Sequence, residues 1–158
     1  MSIYELGELD AVLLRVKEKI NEKGLKLLSV ATEKNIVSFE NRYKIKLPVA
    51  YRRFINEIAN GMIIKDSEGY EYKLLSLFDI EIDSEKIEKP FLLKNFWVWE
   101  AEDEDVFKPE SEYHGLFKAV ANGNFPIMDM GCARSFNLIV SGNVREKFGI
   151  LLMLVQAL

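Results

Sequence analysis

The chain reads as an α+β domain, with N-terminal helices packed against a mostly antiparallel, twisted sheet. Three features predict this. Apolar residues recur at helical spacing through the first third and then switch to alternation. The helical segments precede most of the strand segments. The strands that follow are joined by short hairpin connections, which antiparallel neighbours can use and parallel ones cannot. The 158 residues fit one domain, taken as 1–158.

The first segment is helical because Leu6, Leu9, Leu13, Val16 and Ile20 recur at spacings of three and four, and Gly24 can stop the helix. A second helix is expected from Thr32, whose hydroxyl can accept a free backbone N–H, with Ile36, Phe39 and Tyr43 on one face. In KIKLPVAYRRFINEIANG, Pro48 suits the first helical position. Tyr51, Phe54, Ile55 and Ile58 form the stripe, and Asn60-Gly61 ends the helix.

The period then changes. MIIK, DSEG and YEYKLLSL read as strand, turn and strand. Residues 79–94 read as a polar loop with one short helix, NFWVWE as a strand, and EAEDEDVFKPESE as an acidic loop. FPIMDM, SFNLIVSG and FGILLMLV read as three further strands. GILLMLV lacks alternation, so it is either a strand buried on both faces or a dimer seam, the basis for an expected homodimer.

Composition excludes several classes. Twenty-one basic and 25 acidic residues give a net charge of −4, which argues against direct nucleic-acid binding. One cysteine cannot form an internal disulfide and is too few for a structural zinc site. The N-terminus lacks the pattern of a secretory signal, and the C-terminal apolar run is far shorter than the ~20 residues of a membrane span. A soluble cytoplasmic protein with no membrane partner, metal or cofactor is expected.

NRYKIKLP at a helix end, then P-x-x-Y-x-x-F, then NG and a hairpin, resembles the N-terminal signature of the SUKH superfamily. That superfamily holds fungal cell-wall-synthesis regulators and many bacterial immunity proteins. Leu47, Pro48, Tyr51, Phe54, Asn60 and Gly61 carry the signature. FPIMDMGCARSFNLIVSG followed by FGILLML is similar to the family's second block, so the resemblance spans about residues 30 to 155. Members commonly continue into a C-terminal helix, whereas this sequence stops at Leu158. The expectation is a less covered sheet face or a dimer there. The resemblance implies a non-enzymatic binding protein. Its bacterial members mostly bind and block a toxin inside the cell, and the family supplies no catalytic set.

Each chemical candidate has a plainer reading. Between Cys132 and Arg134 stands a single residue, too little to wrap a phosphate, and Cys132 is expected to pack at a strand–turn–strand crossing beside Gly131. Ser135 lacks the glycines of a nucleophile elbow. His114 is the only histidine, so with Glu110 and Glu112 it makes a weak ligand set and reads as a surface residue. Arg42, Lys44, Lys46, Arg52 and Arg53 fall in a stretch without acids. They read as the wet faces of two helices, with a nucleic-acid patch as the other reading.

Glu100 to Glu112 holds seven acids and one base and lacks the glycine of a calcium loop. It is either a solvated loop or an electronegative docking surface, suited to the basic active site of a toxin that cuts nucleic acid. Trp97 and Trp99 would share one strand face, as core or as a binding hot spot. The partner-binding residues expected are therefore Glu102, Asp103, Glu104, Asp105, Trp97 and Trp99, acting on a cognate toxin domain, a nuclease among the candidates. Two other readings stay open: a regulatory adaptor for an endogenous partner, and an enzyme using Cys132 and Arg134.

Overall fold

The structure is a computed structural model, and it describes residues 6–93, 110–130, 134–143 and 152–155. Among the described residues, helices α1 (Leu6–Lys23), α2 (Glu33–Tyr43), α3 (Val49–Glu57), α4 (Ser84–Ile87) and α5 (Glu110–Val120) accompany six strands. These are β1 (Lys26–Leu27), β2 (Met62–Lys65), β3 (Glu71–Leu74), β4 (Asn124–Asp129), β5 (Arg134–Ile139) and β6 (Leu152–Val155). The strands form one sheet in sequence order, and every neighbouring pair is antiparallel. The α+β architecture with its N-terminal helices is the one the periodicity predicts. Two helical excursions interrupt the meander: α2 and α3 between β1 and β2, and α4 to α5 between β3 and β4.

The apolar stripes become the core. Leu9, Leu13 and Ile20 of α1, Ile36, Phe39 and Tyr43 of α2, and Tyr51 and Ile55 of α3 are buried together with Phe125, Ile127 and Leu138 of the sheet. Phe39 meets Tyr43 edge-on, with ring centroids 5.0 Å apart, and lies 6.0 Å from Phe125, which joins helix to sheet. Gly24 leaves α1 with φ +58, as a C-terminal stop requires. Thr32 caps α2 in a full capping box with Asn35.

Several local expectations shift. Pro48 is the cap of α3 and not its first helical residue, which is Val49. The helix ends at Glu57, before Asn60-Gly61. Of these two, only Gly61 takes a positive φ, +111, while the Asn60 side chain turns inward. The acidic loop stops earlier than expected, because Glu110 to Glu112 open α5. Carboxylates favour a helix N-terminus, where backbone N–H groups lack partners. Gly115 in mid-helix weakened the helical signal there. The two-residue β1 was too short for any alternation to show.

Pro126 sits inside a central strand, which a bulge makes tolerable. The β4–β5 register shifts between Pro126 and Met128, and the extra residue, Ile127, gives its carbonyl to the Leu75 N–H at 2.8 Å. In the β2–β3 hairpin, Asp66 accepts from the N–H of Glu68 and Tyr70 and from the Tyr72 hydroxyl, at 2.7 to 3.0 Å. Expected strand NFWVWE lies outside the described residues.

Candidate partner-binding surface

Trp97, Trp99, Glu102, Asp103, Glu104 and Asp105 lie outside the described residues, as do Gly131 and Cys132. The described residues fix where that segment departs and returns. It leaves after Leu93 and comes back at Glu110, the start of α5.

The departure is held by close backbone packing. Phe91 is buried with Val120 and Ile139 as a second small core. Its backbone is flanked by Gly123, φ +68, and Gly142, φ +90. A Cβ on Gly123 would stand 2.5 Å from the Phe91 nitrogen, and one on Gly142 would overlap the Phe91 carbonyl oxygen. Only glycine fits either place. Ser141 Oγ donates to the Lys89 carbonyl at 3.1 Å, and the Leu92 N–H donates to the Ala119 carbonyl at 3.0 Å. The last bond ties the departing chain to the end of the returning helix.

That helix end is in turn tied to the sheet. Asn124 Nδ2 donates to the Val120 carbonyl at 2.7 Å, Asn137 Nδ2 donates to Asn124 Oδ1 at 2.6 Å, and Ser135 Oγ donates to Asn137 Oδ1 at 2.8 Å. Ser135 thus serves a polar ladder across β5 and β4. Leu92, Phe117 and His114 are exposed. Among the described residues, no group of three or more His, Cys, Asp or Glu side chains could hold a metal ion.

A charged cluster that sequence reasoning missed lies under the α2–α3 turn. Glu40 occupies a core position of α2, only 2% exposed. Its Oε1 accepts the Leu47 N–H at 2.9 Å, and its Oε2 meets Lys46 Nζ at 3.2 Å and Arg52 Nη1 at 2.9 Å. Burial pushes the carboxyl up, but the Leu47 N–H, the Lys46 ammonium and the Arg52 guanidinium outweigh it and hold the group below the usual carboxylate range. The signal was present: Ile36, Phe39, Glu40 and Tyr43 form one helical stripe, and one of the four is a carboxylate.

The acid-free basic stretch is met from elsewhere in the chain. Arg52 also pairs with Glu33, Arg53 with Glu57 at 2.6 Å and with Asp10 at 2.5 Å, and Lys44 with Glu88 at 3.4 Å. Arg42 stands 5.1 Å over the Tyr43 ring. These cations bind their own chain. Asn60, 2% exposed, accepts the Leu77 N–H at 2.9 Å and so docks the turn after α3 onto the segment after β3. A Cβ on Gly61 would fall 2.9 Å from the Leu74 carbonyl oxygen, which explains the glycine. Tyr51 is buried, and its hydroxyl finds no hydrogen-bond partner among the described residues. Burial pushes that hydroxyl above the usual phenol range.

The residues of the L-P-x-x-Y-x-x-F…N-G run therefore do structural work, locking helix pair to hairpin. The family model described as the SMI1 / KNR4 family (SUKH-1) matches residues 30–143, most of the chain. The chain belongs to this family. No curated protein and no solved structure matches it. The SUKH-1 match takes in α2 to β5, including the buried Glu40 and the anchors at Phe91, Gly123 and Gly142. It opens after α1 and β1 and closes before β6. Among the described residues no helix is long and apolar enough to cross a membrane.

Proposed function

We propose that this SUKH-1 protein is a non-enzymatic binding protein of the cytoplasm, an immunity protein that neutralises a cognate toxin domain by direct contact. The observation that carries the reading is the double anchoring of the segment between Leu93 and Glu110. Two glycines grip the chain at Phe91, just before its departure, and a polar ladder holds the far end of α5, the helix on which it returns. A firmly held base suits a segment that must present side chains to a partner. The carboxylates of Glu102, Asp103, Glu104 and Asp105 steer a basic active site, such as that of a nuclease, towards the protein. Trp97 and Trp99 then supply contact area and affinity.

The test is survival. A toxin domain encoded beside this gene is induced in tester cells with and without the protein, and survivors are counted. Rescue supports immunity. Killing that persists beside well-expressed, folded protein favours a regulatory adaptor for an endogenous partner. Reversing all four charges (E102K, D103K, E104K, D105K) should slow association with the rescued toxin by about tenfold or more at low salt and flatten its salt dependence. Unchanged kinetics would sink the steering role.

A further inference from the structure

We infer that an apolar depression on the C-terminal half of α1 is a second docking surface, and that it takes an acidic, amphipathic segment of a partner protein. Val12, Val16 and Leu25 line the depression together with Ile20, a core residue only 6% exposed, and Arg15, Lys19 and Lys23 stand around it. Lys19 is paired with Glu22 at 2.8 Å. Arg15 and Lys23 form no ion pair among the described residues. Two unmatched cations beside an apolar surface, in a chain of net charge −4, complement carboxylates that flank apolar side chains. Close by in sequence, Leu27 of β1 is 38% exposed.

The lining lies wholly within residues 12–25, before the SUKH-1 match begins at residue 30. The surface lies outside the matched segment. It does not rest on the toxin reading, because different residues carry it. A membrane is a poorer fit than a protein. A helix that lies on lipid turns a wide apolar face outward, whereas α1 offers only the narrow strip of Val12 and Val16 beside the depression. Its Leu9, Leu13 and Ile20 are also committed to the core.

The test uses the full chain with labelled Ile, Leu and Val methyl groups, observed by NMR. The probe is a synthetic helical peptide with leucines at i, i+3, i+4 and i+7 and glutamates elsewhere. Expected is movement of the Val12, Val16, Ile20 and Leu25 signals, with binding weakened about tenfold or more by Arg15→Glu with Lys23→Glu. Should that pair disturb the fold, Arg15→Gln with Lys23→Gln is measured in its place, with weakening again expected. Equal binding of a peptide with lysines replacing the glutamates would overturn the inference, as would shifts mapping elsewhere. So would movement of the same signals on concentrating the protein alone, or with phosphatidylserine vesicles but not with the peptide.

Discussion

Two charge-rich regions of this molecule treat their cations in opposite ways. In α2 and α3, Arg52 bridges Glu33 and the buried Glu40, Arg53 bridges Asp10 and Glu57, and Lys46 adds a second cation to Glu40. In the C-terminal half of α1, Arg15 and Lys23 stand in solvent beside an apolar depression. The first arrangement turns charge inward. Its guanidinium and ammonium groups answer a carboxylate that would otherwise be buried alone, at a cost no domain of this size tolerates easily. The second leaves charge for something outside. The lesson is that a basic residue is read by what already faces it, and a count of lysines and arginines along the sequence cannot show that.

The largest effect should come from Glu40→Ala. It strips the Leu47 N–H of its acceptor and leaves Arg52 with Glu33 as its remaining carboxylate partner. Breaking a buried pair from one side costs about 3–5 kcal/mol, which urea denaturation will show as a lower midpoint. A loss below about 1 kcal/mol would erase the distinction between the two regions.

The same carboxylate sets a pH dependence. Its pKa is lower folded than unfolded, so its stabilisation is fully present above the ordinary value of 4.5. It is lost as pH falls through the lower folded value. Denaturation midpoints of the parent chain should therefore drop on acidification below pH 4.5, and Glu40→Gln should flatten part of that drop. An equal acid dependence in the two proteins would remove Glu40 as its source.

Much of the fold was legible because it depends on local periodicity. The stripes of α1, α2 and α3 needed only spacings of three and four, and the β2–β3 hairpin only a change of period and a DSEG turn. The sites were less legible because their partners are distant in sequence. Glu40 finds its donors 7 and 12 residues later, at Leu47 and Arg52. Phe91 meets glycines at 123 and 142, and nothing around NGN or SGN names what presses on them. The acids at 110 and 112 read as loop because a run of charge looks the same whether it is solvated or opens a helix. The six residues expected to bind a partner lie outside the described residues.

Asn60→Ala sharpens the comparison at middle size. Asn60 is as buried as Glu40 but uncharged, and it too accepts one backbone N–H. Leaving the Leu77 N–H unsatisfied should cost about 1–3 kcal/mol, less than Glu40→Ala because no guanidinium or ammonium loses a partner. The gap between the two variants measures what the charge adds. Asn60→Ala matching the Glu40 variant would mean that backbone satisfaction alone carries the α2–α3 region.

The smallest effect is expected from Arg15→Glu with Lys23→Glu. Neither side chain has an ion-pair partner among the described residues, and both are exposed. Substitutions of that kind stay within about 0.5 kcal/mol of the parent. Urea midpoints of the double variant should therefore overlay those of the parent, while its affinity for a glutamate-rich amphipathic peptide falls. Stability and binding would then separate cleanly at α1, as they cannot at Glu40, where removing the charge also loosens the fold. A loss of 2 kcal/mol or more, far outside the surface range of about 0.5, would show that these cations hold the domain together as Arg52 does. The two regions would then differ in degree and not in kind.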